Sequence, residues 1–336
     1  MTRFRIGSYN PRFNIERPAA PAPREETMLI DWHSHHTAPE LVNAFRQKAG
    51  KSPKVDDYDS ADFEKRLTEL DEAGIDFQLV SQGASEDADQ LDGADAMEMA
   101  RLSNDVLAER IGGHTDRFSG ITALSFKNIE ASVEEIERMA SRGFKAVLIY
   151  PRVDGEMKVD LPEIDPVFAK VSELGLPLFL HGSGNAKDPT LQRLEDGGAG
   201  VSYAVLSDAS VNECVMRMIA GGVFDRHPNL KVVIRSGGGG IPLLVQRMSW
   251  KHSGPDGDKR YSDIFLEHFL IDTASVRPKA LPFLTDVMGS NGVVFGSDYC
   301  GGLGPLKRAL AVVDEQENAS EIRSRTERIS RELLGM

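Results

Sequence analysis

Eight short apolar runs alternate with longer segments of helical period in this chain of 336 residues. The runs are rich in Val, Ile and Phe, and most are continuously hydrophobic, as parallel strands buried on both faces are. One intervening segment, residues 209–224, places its apolar side chains on a single helical face. The predicted strands are residues 28–33, 75–81, 118–124, 144–150, 177–181, 231–234, 269–272 and 293–298.

This repeated order of strand and helix predicts an α/β protein with a closed (β/α)₈ barrel, the TIM barrel. An open, doubly wound sheet is the alternative. The barrel is favoured because residues with chemical character follow the C-terminal ends of the strands, where barrel enzymes hold their active sites. We expect one barrel domain over residues 28–336. Residues 1–27 contain four prolines and five arginines without an apolar period, which predicts an extended N-terminal arm.

Charge and hydrophobicity narrow the classes of function. The formal charge is −13, from 39 basic and 52 acidic residues, so the chain as a whole repels nucleic-acid phosphates. No run approaches the roughly 20 apolar residues of a membrane-spanning helix. The N-terminus also lacks the apolar segment of a secretory signal, so a cytoplasmic location is expected. Cys214 and Cys300 show no CxxC spacing and are expected to be reduced thiols.

Three of the predicted strands lead into residue types that bind metal ions. The first strand runs into His33 and His35, and these imidazoles share a face because side chains alternate along a strand. The fifth strand ends at His181 and the eighth at Asp298, at the same rim of a barrel. Three imidazole nitrogens and a carboxylate oxygen suit Zn²⁺ or a similar divalent ion. Taken singly, His181 could bond to backbone and Asp298 could be a turn or N-cap residue.

In this arrangement the chain resembles the amidohydrolase superfamily, and within it the branch of aminocarboxymuconate-semialdehyde decarboxylase and the γ-resorcylate-type decarboxylases. The resemblance runs from Met28 to the C-terminus. It rests on the sequences IDWHSH at 30–35, LDEAGID at 70–76, RF at 117–118, PLFLH at 177–181, GGGGIP at 237–242 and GSDY at 296–299.

The resemblance implies a barrel enzyme with one catalytic divalent metal ion, zinc first and manganese as the alternative. It implies that His33, His35, His181 and Asp298 bind this ion and that Asp298 also handles a proton. It further implies a homodimer. The fourth predicted strand ends without a lysine, since Lys145 lies at its beginning, so a mononuclear site is expected rather than one bridged by a modified lysine.

The chain departs from the family pattern after the sixth strand. The family places a histidine that assists catalysis before the glycine run, and this chain has Ser236 there, preceded by Arg235. Strict alternation predicts that Arg235 points to the opposite face. The hydroxyl of Ser236 can hydrogen-bond a substrate oxygen, but without an adjacent base it is a weak proton acceptor. Ser236 is therefore a candidate catalytic residue, and a pocket that merely tolerates a small side chain is the other interpretation.

Two arginines are candidates for binding a small-molecule substrate through its carboxylate. Arg46 lies in the long segment after the first strand, and Arg152 follows the fourth strand at the rim of the site. The function favoured by the resemblance is metal-dependent, non-oxidative decarboxylation of a small carboxylated aromatic or muconate-type substrate. The alternative is a mononuclear metal-dependent hydrolase of an amide, lactone or ester. A third possibility, motivated by Ser236, is a barrel that binds metal without turnover.

Overall fold

The predicted strands pair in one parallel sheet, each hydrogen-bonded to the next along the chain. The computed structural model describes residues 27–50, 62–83, 91–153, 156–182, 205–253, 259–301 and 304–336. The strands of the sheet are β1 (Ile30–Asp31, resumed at His35–His36), β2 (Phe77–Gln82), β3 (Phe118–Thr122), β4 (Ala146–Ile149), β5 (Leu178–Leu180), β6 (Val232–Ile234), β7 (Phe269–Asp272) and β8 (Val293–Val294).

Backbone hydrogen bonds between β1 and the segment after β8 close the sheet into a barrel. The Trp32 N–H donates to the Phe295 carbonyl (2.9 Å), and the His35 N–H donates to the Tyr299 carbonyl (2.8 Å). Ser34 and Tyr299 form a parallel bridge at the same junction. The predicted (β/α)₈ barrel is therefore confirmed, and the alternative of an open sheet is wrong.

Helices connect the strands and cover the outer surface of the sheet. Two of the described helices begin at a side-chain cap: Asp62 accepts from the Lys65 N–H (3.0 Å) and Asn128 from the Ala131 N–H (3.0 Å). The helices are α1 (Pro39–Ala49), α2 (Phe63–Ala73), α3 (Gly93–Ile111), α4 (Ile129–Ser141), α5 (Asp165–Glu173), α6 (Ser207–Ala220), α7 (Val223–Arg226), α8 (Val245–Met248), α9 (Tyr261–His268), α10 (Leu281–Met288), α11 (Leu306–Asp314) and α12 (Ala319–Leu334).

Shorter elements complete the description. Turns of 3₁₀-helix span Pro162–Ile164 and Pro278–Ala280, and the turns within Ser236–Leu244 include left-handed backbone at residues 236–240. Arg152–Val153 pairs antiparallel with Glu156–Met157, and His252–Ser253 with Lys259–Arg260. In the described ranges, every helix is too short or too polar to cross a bilayer. Apart from Thr27, the predicted N-terminal arm lies outside the described residues, so the arm and the single-domain division remain predictions.

Side chains alternate along the strands between the barrel interior and the layer beneath the helices. Phe179 of β5 and Val233 of β6 belong to the interior cluster, whereas Leu180 and Ile234 belong to the cluster that the helices cover. The register aligns Phe179 with Val233 and Leu180 with Ile234. Two residues beyond Phe179 and Val233, the interior-facing side chains therefore reach the C-terminal mouth of the barrel.

A buried polar network fixes the strand ends below this mouth. Asp31 accepts hydrogen bonds from the Ser297 hydroxyl (2.6 Å) and from Gln78 Nε2 (2.7 Å). Arg66, with 1% of its surface exposed, donates to Gln78 Oε1 (2.8 Å) and to the Ser34 hydroxyl (3.2 Å). Burial raises the pKa of Asp31 despite these donors. The network joins β1, α2, β2 and the segment after β8, which include the segments carrying three of the predicted metal ligands.

A close contact in the sheet gives a stability prediction. A Cβ at Gly120 in β3 would lie 2.2 Å from the Phe144 ring. We expect Gly120→Ala to lower the free energy of unfolding by about 1–3 kcal/mol, because the buried ring must move within a packed core. At Gly113 a Cβ meets no atom within 4 Å, so Gly113→Ala should change stability by less than about 0.5 kcal/mol. Equal losses at both positions in urea unfolding would contradict the packing argument.

Candidate metal centre

The structure brings the four predicted metal ligands together at the mouth of the barrel. One ligating atom from each of His33, His35 and His181 lies within 4.8 Å of those of the other two. Asp298 Oδ1 lies 3.0 Å from His35 Nε2 and 3.2 Å from His33 Nε2. Residues that are up to 265 positions apart in the sequence thus converge where one cation could contact them all.

Hydrogen bonds at the outer nitrogens fix the orientation of two of the rings. His33 Nδ1 lies 2.8 Å from Asp272 Oδ2, and His181 Nδ1 lies 2.8 Å from the Gly182 carbonyl oxygen. Because a carboxylate and a carbonyl only accept hydrogen bonds, both Nδ1 atoms must carry the proton. When these imidazoles are neutral, their Nε2 atoms therefore present lone pairs to the centre.

His35 is held in the same way by a serine. Its Nδ1 lies 3.0 Å from the Ser81 hydroxyl, which also lies 3.1 Å from the Ser34 carbonyl oxygen and can donate its one proton to either neighbour. On the other side of the ring, His35 Nε2 lies 3.0 Å from Asp298 Oδ1, and this carboxylate oxygen only accepts. Ser81 would therefore accept from Nδ1 when Nε2 gives up its proton to bind a cation. The partners of His33 and His181 thus set the tautomer that leaves Nε2 available, and the Ser81 hydroxyl is compatible with the same tautomer of His35, as outer partners of metal-bound histidines are.

These donors fit a divalent metal ion. The Nε2 of His33 is buried and has no hydrogen-bond partner among the described residues, although Asp298 is close. A divalent cation at the centre would contact this nitrogen and the Asp298 carboxylate together and would match the charge of the carboxylate. Imidazole nitrogen suits zinc, and carboxylate oxygen is a ligand for zinc and manganese alike.

The charges of the site are strongly coupled. Burial lowers the pKa of His181 well below its usual value, and the nearby histidines and Arg235 act in the same direction. Burial likewise lowers the pKa of His35. For His33 burial also favours the neutral form, but the carboxylates of Asp272 and Asp298 outweigh it and raise the pKa to about 10.

Asp298 responds in the opposite direction. Burial alone would raise the pKa of Asp298, but His33 and His35 outweigh burial and hold the pKa of this carboxyl far below its usual range. Asp298 is therefore an anion at neutral pH. An anionic carboxylate can bind a cation or accept a proton, which are the two roles that the resemblance implies for it.

The comparison with known proteins decides the family. Residues 30–317 match the family described as amidohydrolase. The chain belongs to this amidohydrolase family. A γ-resorcylate decarboxylase of Rhodococcus jostii is 31% identical over 255 residues, which cover 70% of this chain and 76% of that protein. A 2-amino-3-carboxymuconate-6-semialdehyde decarboxylase of Dictyostelium discoideum is 29% identical over 264 residues, which cover 76% of this chain and 72% of that protein.

Solved structures agree with this placement. A 2,6-dihydroxybenzoate decarboxylase in complex with 2,6-dihydroxybenzoate superimposes with a TM-score of 0.76 and 25% identity, over 92% of this chain and all (100%) of that one. A 5-carboxyvanillate decarboxylase of Novosphingobium aromaticivorans, solved with manganese, has a TM-score of 0.78 at 20% identity, over 93% and 97% of the two chains. The resemblance to this decarboxylase branch of the amidohydrolases is confirmed.

Ser236 lies beside the candidate metal ligands of this amidohydrolase, and the described residues show no direct contact between its side chain and theirs. Its backbone N–H donates to Asp272 Oδ1 (2.7 Å), and the other oxygen of Asp272 holds His33. Ser236 has φ 54°, and its hydroxyl lies 3.4 Å from that of Ser275, which has φ 61°. Left-handed backbone at non-glycine residues is strained and is typical of functional sites.

Asp272 is the functional residue that sequence reasoning missed. It ends β7, so the rule that selects residues at the C-terminal ends of strands also points to Asp272. Its two oxygens receive hydrogen bonds from His33 Nδ1 and from the N–H groups of Ser236 and Ala274 (2.9 Å). Asp272 thus positions one metal ligand and the segment after β6 together.

The two arginines proposed for the substrate carboxylate remain predictions. Arg46 lies on the exposed side of α1, where its Nη1 is 3.5 Å from Asn43 Oδ1. The backbone of Arg152 lies in a two-residue strand, and its side chain is outside the described part of the chain. The structure therefore places neither guanidinium at the metal centre.

The expectation that Arg235 faces away from the site is wrong. Arg235 follows Val233 on the interior side of β6, and it packs against Gly182, the residue after His181: a Cβ at Gly182 would lie 2.3 Å from Arg235 Nη2. Alternation counted back from Ser236 fails because the chain leaves the extended conformation at Ser236. Arg235 is the residue that continues the interior face.

Substitution of Asp272 tests the anchoring of His33. Asp272→Asn keeps an oxygen for the N–H groups of Ser236 and Ala274 but can place an amide N–H₂ opposite His33 Nδ1, which favours the wrong tautomer. We expect metal affinity to fall about 10- to 100-fold, measured by competition with a chelating dye. Asp165→Asn is the matched control, because Asp165 accepts from His227 Nε2 (3.1 Å) in a pair that contains no metal ligand. Equal affinities for both variants would rule out the anchoring role.

Proton release on metal binding tests the charge state of the site. In the metal-free protein His33, with a pKa of about 10, is protonated at neutral pH, whereas His35 and His181 are neutral because their pKa values are lowered. A cation needs the Nε2 lone pair of His33, so binding should expel about one proton, and affinity should rise with pH by about tenfold per unit. Calorimetry in two buffers of different ionisation enthalpy measures this number. Binding without proton release would show that His33 is already neutral.

Proposed function

We propose that this amidohydrolase is a metal-dependent, non-oxidative decarboxylase of a small carboxylated aromatic or muconate-type substrate. The observation that carries the proposal is the convergence of one nitrogen from each of His33, His35 and His181 at the barrel mouth, with Asp298 beside two of them. The relatedness to decarboxylases over 70% or more of the chain supports the reaction type. The enzyme is thus a carbon–carbon lyase of the amidohydrolase fold.

The metal is proposed to be one divalent ion held by His33, His35, His181 and Asp298. When bound, it would supply Lewis-acid attraction for the substrate's carboxylate and an adjacent oxygen. Three imidazoles and one carboxylate favour zinc, and manganese is supported by the related 5-carboxyvanillate decarboxylase that was solved with it. Loading the purified protein with each ion and comparing rates decides between them.

The reaction replaces a carboxylate by a proton. A proton adds to the carbon that bears the carboxylate, the bond between the two carbons breaks, and its electron pair restores the conjugated system as CO₂ leaves. Asp298 is proposed to carry this proton. Because Asp298 is an anion in the free enzyme, it would first accept the proton from an acidic hydroxyl of the bound substrate and then deliver it to the carbon.

The remaining residues orient the reacting groups. Asp272, Ser81 and the Gly182 carbonyl keep the three histidine rings in place, so the cluster does not reorganise during turnover. Ser236 would donate a hydrogen bond to a substrate oxygen. Its lack of basicity means that Asp298 is the proton carrier in this proposal.

Product analysis with an Asp298 variant tests the reaction. We expect the wild-type protein to release CO₂ from at least one member of a panel of hydroxylated benzoates and carboxymuconate semialdehydes. Asp298→Asn should lower kcat about 10²- to 10⁴-fold. His114→Asn, a partly exposed histidine outside the cluster, should leave the rate unchanged, and metal analysis of each variant separates proton transfer from loss of the ion. A metal-loaded wild type without CO₂ release from the whole panel would overturn the proposal.

The hydrolase alternative is kept because Ser236 occupies the position of the family's catalytic histidine. Ser236→His tests both readings, since His is compatible with the left-handed backbone at this position (φ 54°). In a decarboxylase we expect the added acid–base group to raise CO₂ release by up to about 10²-fold. Ser236→Asn also tolerates this backbone but offers no base, and serves as the control. A loss of activity with histidine, together with turnover of a lactone or amide panel, would favour the hydrolase.

The assembly and location are separate proposals. The family resemblance supports a homodimer, and light scattering that gives the mass of one chain would contradict it. A cytoplasmic location is proposed because the two cysteines lack the pattern of a disulfide framework.

A further inference from the structure

Arg235 is a buried cation beside the metal centre. Its N–H donates to the Leu180 carbonyl (3.1 Å), so β5 and β6 remain paired up to His181 and Arg235. Only 7% of the surface of Arg235 is exposed. Burying a guanidinium costs free energy unless its charge and its N–H groups are matched.

The described partners of Arg235 compensate its charge only in part. Nη2 donates to the Ser207 hydroxyl (2.6 Å) and to Asp208 Oδ1 (2.9 Å), whereas Nε has no hydrogen-bond partner among the described residues. The Asp208 side chain is 38% exposed, against 9% for that of Arg235. Solvent therefore screens the charge of Asp208 more than that of Arg235.

Hydroxyl groups extend from this cation to the solvent. Arg235 Nη1 donates to the Ser236 hydroxyl (3.1 Å), and the hydroxyl of Ser275, which is exposed, lies 3.4 Å from that of Ser236. A guanidinium followed by hydroxyls is a donor set that matches a carboxylate or phenolate. This donor set lies between the ends of β6 and β7, next to the metal ligands.

We propose that Arg235, together with Ser236 and Ser275, binds a second anionic group of the substrate, distinct from the carboxylate that leaves as CO₂. Arg235 is then a specificity-determining residue that selects dianionic substrates. The inference rests on the proposed function only in assuming that the other carboxylate leaves as CO₂. The preference for a dianionic ligand depends on the ligand's charge and does not require turnover. It places a cationic subsite where the family's histidine is replaced by serine.

A purely structural role for Arg235 makes a different prediction. An Arg235–Asp208 pair that only joins β6 to α6 would affect the stability of the protein. Its removal would then weaken the binding of monoanionic and dianionic ligands equally. The ratio of their affinities therefore separates recognition from structure.

Ligand binding by calorimetry tests the subsite. The probes are benzoate and the three benzenedicarboxylates, added to the full-length protein in the presence of manganese chloride. We expect the best dicarboxylate to bind the wild type at least about tenfold more tightly than benzoate, and Arg235→Gln to reduce this ratio about 10- to 100-fold. Arg235→Lys should keep part of the ratio, because it keeps the charge and loses the planar fork. Arg217→Gln, which removes an arginine paired with Glu213 on α6, should leave the ratio unchanged.

Asp208→Asn provides a second test if Arg235→Gln does not fold. It removes the competing anion while Arg235 stays, so dicarboxylates should bind a few-fold more tightly and benzoate should change less. A wild type without preference for any dicarboxylate, an unchanged ratio in folded Arg235→Gln, or weaker dicarboxylate binding by Asp208→Asn would each overturn the inference. Failure of the proposed function is seen separately, as an absence of CO₂ release, because the binding ratio is measured from heat and needs no turnover.

Discussion

The site depends on three hydrogen bonds made by histidine Nδ1 atoms. A histidine at the end of a strand can rotate and can carry its proton on either nitrogen, so convergence of the rings alone does not make a metal site. Asp272 and the Gly182 carbonyl fix both the orientation and the tautomer of their histidines, and the Ser81 hydroxyl fixes the orientation of the His35 ring. Each acceptor comes from a strand or strand end of the barrel, and the sheet itself therefore fixes which atoms face the centre.

The fold and the convergence of the candidate metal ligands could be predicted because both follow from position along a strand. Eight apolar runs specify eight strands, and parallel strands bring their C-terminal ends to one rim. His33, His35, His181 and Asp298 are chemically distinctive residues at these ends. The observed ladder of β8 covers only Val293–Val294, but backbone hydrogen bonds carry the chain beside β1 as far as Asp298.

The environment of the ligands could not be predicted in the same way. Asp272 has the right position, but only the packed barrel shows that it contacts a ring 239 residues away. The sequence pattern places Arg235 on the wrong face. Side chains alternate between faces only while the backbone is extended, and the backbone at Ser236 is left-handed. Arg46 and Arg152 lie in connections, whose paths depend on tertiary contacts that no local pattern encodes.

The contact between Asp272 and residue 236 has a consequence for how such an enzyme can diverge. Asp272 accepts a hydrogen bond from the backbone N–H of residue 236, not from its side chain. The side chain can therefore be exchanged while the Asp272 carboxylate keeps its hydrogen bond to His33. The positive φ restricts the choice to residues that tolerate it, among them serine, histidine and asparagine. Within that small set, a single substitution can alter the chemistry at the barrel mouth while the residues that hold the ion stay in place.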